Sequence, residues 1–192
     1  MTDNCPRRPV AVLKQEHQVI LRVLVVLEKL TDRSENGTFE YSSLIQCIEF
    51  FELFADACHH AKEEKQLFPV LEERGVPREG GPIGVMLYEH GVARSLVGQM
   101  RDTLLRRGDG DDPELAGAFR QTARSYIHLL RQHIQKEDNI LFEIGDQVMT
   151  EADQQMLDER FCAVACETFG GRRSEELEAL ANELEARWSS AA

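Results

Sequence analysis

His59-His60-Ala61-Lys62-Glu63-Glu64-Lys65-Gln66-Leu67-Phe68 returns in the second half of the chain as His133-Ile134-Gln135-Lys136-Glu137-Asp138-Asn139-Ile140-Leu141-Phe142. Both copies read His-x-x-Lys-Glu-x-x-x-Leu-Phe. Upstream of each lies a second matched pair, Gln15-Glu16-His17 before the first copy and Tyr88-Glu89-His90 before the second. The histidines are 42 residues apart in the first half and 43 in the second. A lone His-x-x-x-Glu is common by chance. Matched flanks at matched spacing are not, and they describe two helical hairpins related by an approximate twofold.

The surroundings are helical. Apolar residues recur at helical rather than strand spacing, and no run alternates cleanly with period two. We expect helices over Val10–Leu30, Tyr41–Glu73, Ile83–Arg106 and Glu114–Phe142. Gly75-Val76-Pro77 stops the second, and Asp112 with Pro113 supplies an N-cap and N1 for the fourth. Thr150-Glu151-Ala152-Asp153 reads as a further helix start, and Gly170-Gly171 separates two short helices near the end. The expected fold is all-α, an up-down-up-down four-helix bundle over residues 1–149, with a C-terminal helical extension, 150–192, packed on it.

At 100° per residue, the repeated His and Glu fall on the face that should line the bundle. His59 shares it with Ile48, Ala55 and Val70, and His133 with Leu129, Ile140 and Ile144. His17 aligns with Leu13 and Leu21, and His90 with Ile83 and Met86. Four histidines and two glutamates therefore converge on one interior, where unpaired burial would be very costly. A metal resolves that cost, and imidazole with carboxylate suits iron, manganese or zinc better than calcium. The expected ligands are His17, His59, Glu63, His90, His133 and Glu137. His60 is turned about 100° from His59, and its counterpart is Ile134, so it is expected behind the ligands or at the site boundary. Glu52 and Tyr126, each seven residues before a ligand histidine, are expected to face inward two turns away. Glu16 and Glu89 read either as groups that orient imidazoles or as helix-surface charges. Arg94 is expected to face inward beside His90, and His128 to face solvent. Cys58 falls off the metal face. Cys162 and Cys166, four residues apart, read as small packing groups.

Composition narrows the partners. With 22 Lys+Arg against 34 Asp+Glu, the net charge is −12. Such a chain is a poor binder of nucleic-acid backbones or anionic lipid. No stretch approaches the length needed to span a bilayer. A polar start and five cysteines without a CxxC pair lead us to expect free thiols and a cytoplasmic protein.

The pattern His … His-x-x-x-Glu … His … His-x-x-x-Glu on four helices resembles the hemerythrin-like, or HHE cation-binding, proteins. The resemblance is carried by 59–69 (His-His-Ala-Lys-Glu-Glu-Lys-Gln-Leu-Phe-Pro), 86–90 (Met-Leu-Tyr-Glu-His) and 133–138 (His-Ile-Gln-Lys-Glu-Asp), and covers about residues 10–145. It implies a non-haem di-iron centre, with manganese or zinc as alternatives. His17, His59, His90 and His133 would be terminal ligands, and Glu63 and Glu137 would bridge. It also implies a small ligand such as O2, NO or peroxide. The oxygen carriers of the family have a fifth histidine in a His-x-x-x-His pair on the third helix. Here the positions four before and four after His90 are Met86 and Arg94. They also use an aspartate in a wider spacing where this chain has Glu137. The set is similar to that of iron-centre-repair proteins. Iron handling, iron–sulfur-centre repair, and a peroxide- or NO-consuming enzyme therefore stand as alternatives to ligand binding.

Overall fold

A computed structural model describes residues 8–36, 39–107, 112–165 and 167–189. The chain is all-α. Helix α1 is Pro9–Arg33, followed by a 3-10 turn at Ser34–Asn36. Helix α2 runs continuously over residues 41–73, and α3 is Pro82–Arg107. Helix α4 runs over residues 113–148. The C-terminal part holds α5 (Glu151–Ala165), a two-strand hairpin of β1 (Thr168–Phe169) and β2 (Arg172–Arg173), and α6 (Ser174–Ser189).

The helix starts follow capping chemistry. Pro9 opens α1, where its missing N–H costs nothing. The Asp112 carboxylate accepts from the Glu114 and Leu115 N–H groups, and Pro113 follows. At α5, Thr150 and Asp153 cap each other reciprocally. Gly170 and Gly171 make a hairpin turn rather than a plain helix break. Both have positive φ, as a two-residue turn of this kind requires.

Two long helices are not α throughout. In α2, Phe51–His60 and Glu63–Leu67 are π-helical. In α4, Glu137–Leu141 is π-helical at the position equivalent to Glu63–Leu67. Pro69 follows the wide turn in α2, but α4 widens with no proline nearby, so the proline is not the cause. What the two stretches share is the repeated motif itself. Such wide turns are rare and concentrate at functional sites.

The core is split in two along the bundle. One cluster includes Ile20, Leu24, Phe51, Phe54 and Leu130. The other includes Leu13, Leu67, Phe68, Leu141 and Phe142. The repeated His and Glu side chains lie between them, so a polar layer is closed off by apolar packing on both sides. Helix α6 lies along α1 and α2. Arg22 bonds Asn182 and Glu185, Arg33 sits over the Trp188 ring, and the Trp188 indole N–H donates to Ser43. No helix among the described residues is long and apolar enough to cross a membrane.

Candidate metal centre

Each of the four helices brings side chains to the middle layer. His17, His59, Glu63, His90, His133 and Glu137 are all at most 2% exposed, and His60 joins them at 3%. Their donor atoms form two groups, each able to hold a metal ion. His17, His59, Glu63 and Glu137 make one, and His60, Glu63, His90 and His133 make the other. Within each group the donors lie within 4.8 Å of one another.

Glu63 belongs to both groups. One of its oxygens stands 3.5 Å from His59 Nε2 and the other 3.5 Å from His90 Nε2. Glu137 also spans them: Oε2 is 3.3 Å from His17 Nε2 and 3.2 Å from His133 Nε2, and Oε1 is 3.8 Å from His90 Nε2. The His17 and His59 Nε2 atoms and all four oxygens of Glu63 and Glu137 are buried without a hydrogen-bond partner. Six such orphans are a large burial cost unless something else satisfies them.

The outward nitrogens are fully served, and the pattern is a closed ring. His17 on α1 donates from Nδ1 to Asp138 on α4 at 2.8 Å. His133 on α4 donates to Glu89 on α3 at 2.9 Å. His90 on α3 donates to Glu64 on α2 at 2.7 Å. His59 on α2 donates to Glu16 on α1 at 2.9 Å. A carboxylate on Nδ1 fixes the tautomer, so the Nε2 lone pair of the neutral ring points inward. Two lysines hold the carboxylates in turn: Lys62 pairs with Glu16 and Lys136 with Glu89. The repeated phenylalanines stack on imidazoles across the bundle, Phe142 on His17 and Phe68 on His90.

Electrostatics divides the cluster. Burial works against a charged imidazole, yet the carboxylates of Asp138 and Glu137 raise His17 to about 9. His133 is raised to about 10 against the same burial, chiefly by the charge of Glu137. Burial lowers His59 to about 4 despite Glu16, and burial beside His90, His59 and His133 drives His60 well down. Glu63 is pushed well up by burial and by the charge of Glu137. Burial also works against ionising Glu137, but His133 and its neighbours hold it well down.

Several expectations need correcting. His60 lies inside the cluster, not behind it. The wide turn Phe51–His60 advances each residue by less than the α-helical 100°, so His59 and His60 both reach the interior. The same turn carries Glu52 outward, where it is half-exposed and bonds Arg101 at 2.7 Å. Arg94 is exposed rather than turned inward, but it bonds Asp56 and Glu64, both at 2.7 Å, and so stands as a positive group behind His90, whose Nδ1 meets the same Glu64 oxygen. Tyr126 is buried against Phe51, and His128 faces solvent. Glu16 and Glu89 are imidazole-orienting groups rather than surface charges. Cys47, Cys58 and Cys162 are free thiols, and Cys162 is exposed rather than packed. Cys5 and Cys166 lie outside the described residues.

Spacing along a single helix assigns no role to Lys62, Lys136, Glu64, Asp138, Phe68 or Phe142, all of which touch the cluster or its carboxylates. Their signal was the repeated string itself.

Residues 8–144 match the family model of the hemerythrin HHE cation binding domain. The chain belongs to the hemerythrin HHE cation-binding family. The match covers all four long helices of this hemerythrin domain up to residue 144 and includes every histidine and glutamate of the central layer. No curated protein matches the chain. The buried cluster fits the cation binding that the family name states, and α5, the hairpin and α6 lie beyond the matched region.

Proposed function

We propose that the chain holds two iron ions in its central layer and binds a small ligand there: O2, NO or peroxide. The observation that carries this is the set of six orphaned donor atoms, all buried and aimed at one another between two apolar clusters. Imidazole and carboxylate donors suit iron, with manganese or zinc as alternatives. In this reading His17 and His59 serve one ion, and His60, His90 and His133 serve the other. Glu63 and Glu137, whose oxygens stand near histidines of both groups, would help hold both ions. Iron bound there supplies a redox-active Lewis acid to which a diatomic molecule or peroxide can attach.

The protein's own contribution is orientation and exclusion. Four carboxylates from neighbouring helices fix four imidazoles, and Phe68 and Phe142 keep water from two of them. Bracing of this kind favours retention of metal, whereas iron delivery or repair of other centres needs looser ligation.

The test is the metal content of protein prepared without affinity-tag metals, read with its ultraviolet–visible spectrum before and after NO and peroxide. About two irons per chain and a spectrum that responds to either ligand support the reading. Less than one metal per chain after reconstitution refutes it. Continued consumption of peroxide or NO would make the protein an enzyme rather than a binder.

A further inference from the structure

A cavity of about 130 Å³ opens between the π-helical stretch of α2 and the middle of α3. Its outer rim is Glu52, Asp56, Arg94 and Arg101, its wall includes Phe51, Val97 and Gly98, and its inner end is His60 and Tyr126. Since His60 is one of the clustered donors, the cavity runs from the surface to the central layer.

We propose that this cavity is the entry path and waiting site for a small uncharged ligand on its way to the cluster. The inference rests on the functional reading above and names the class of ligand admitted.

Three features support it. The rim guanidiniums are already engaged, Arg94 with Asp56 and Glu64 and Arg101 with Glu52, so they offer no free cation to an anion. Behind the rim the wall is apolar, which suits a diatomic gas and disfavours charged ligands such as phosphate or carboxylates. The inner end is the least braced imidazole of the cluster. Its Nδ1 meets Asp56, from its own helix, at 3.3 Å, whereas the other four contacts come from neighbouring helices at 2.7–2.9 Å. Asp56 is also held by Arg94, so the rim pair and the inner imidazole are linked through one carboxylate. Gly98 adds a separate clue. A Cβ there meets no heavy atom within 4 Å, so a larger and better helix former would fit, but it would grow into the cavity.

The experiment uses the iron-loaded full chain, mixed rapidly with dissolved NO. Gly98→Leu should slow combination roughly tenfold and leave the final spectrum and iron content unchanged. Arg101→Ala, which removes part of the rim, should speed it. Wild-type rates in both variants, with NO still bound, would overturn the proposal. If NO changes no spectrum in any variant, the functional reading fails instead. Xenon under pressure on crystals of the metal-free chain then judges the cavity alone. Xenon at the wall of Val97 and Gly98 in the wild type, absent in Gly98→Leu, supports it, and xenon only elsewhere overturns it.

Discussion

Loading the cluster should expel protons, and the structure gives the number. A cation needs imidazole without its Nε2 proton and carboxylate without any. At pH 7 the metal-free chain carries extra protons on His17, raised to about 9, and on His133, raised to about 10, while burial and the charge of Glu137 push Glu63 in the same direction. His59 and His60 are already neutral, and Glu137 is ionised. Filling both positions should therefore release at least about two protons at pH 7, from His17 and His133. Removing them costs about 4 kcal/mol at His133 and about 3 kcal/mol at His17, at 1.36 kcal/mol per pH unit. The assay is calorimetric titration of ferrous iron, without oxygen, into the metal-free chain at pH 7, in buffers of different ionisation enthalpy. The dependence of observed heat on buffer enthalpy counts the protons. Each unit of pH drop should also weaken two-ion loading by at least about a hundredfold. No dependence on buffer would refute the assignment of charge within the cluster, and with it the claim that Glu137 lifts His17 and His133.

Other outcomes follow from particular contacts. His60→Ala should lose about one of two metal equivalents, whereas His128→Ala should lose none; metal analysis of both variants decides whether the wide turn brings a fifth histidine to the site. Lys62→Met strands Glu16 in the interior and should destabilise by about 3–5 kcal/mol in denaturant titration. Lys136→Met, whose lysine is 35% exposed, should cost under about 1 kcal/mol. The metal-free chain should be most stable near pH 6.5 by thermal melting, and less stable on either side. His17 and His133 stabilise in full below about 6.5 and lose their contribution as pH climbs through 9 and 10, while His59, lowered to about 4, costs stability as pH falls below about 6.5. Trp188→Ala should lower the melting temperature by about 10 °C, because it empties a buried indole and releases α6 from Ser43 and Arg33.

Much of this was legible from residues 59–68 and 133–142 alone. The repeat gave two hairpins, and Gly75-Val76-Pro77 and Asp112-Pro113 ended and began helices where the structure does. The misreadings have one main source. Counting 100° per residue holds for the regular part of α4, and there Tyr126, seven residues before His133, does face inward. It fails in the π-helical stretch of α2, so Glu52, the equivalent residue, turns out to Arg101 while His60 turns in. Arg94 shows a different limit. Its position on α3 points it near His90, but its long side chain carries the charge out to Asp56 and Glu64. Glu64 and Asp138 were hidden because their partners are on other helices, and spacing along one helix is silent about neighbours.

The ring of imidazole–carboxylate contacts bears on how the bundle opens. It runs from α1 to α4, to α3, to α2 and back to α1, so it has no loose end. Detaching any one helix breaks two of its four links and exposes a carboxylate or imidazole on each neighbour. Partial opening is therefore penalised nearly as heavily as complete opening. Amide hydrogens beside the central layer on all four helices should exchange at one common slow rate, as a single cooperative unit, while those on α5 exchange earlier.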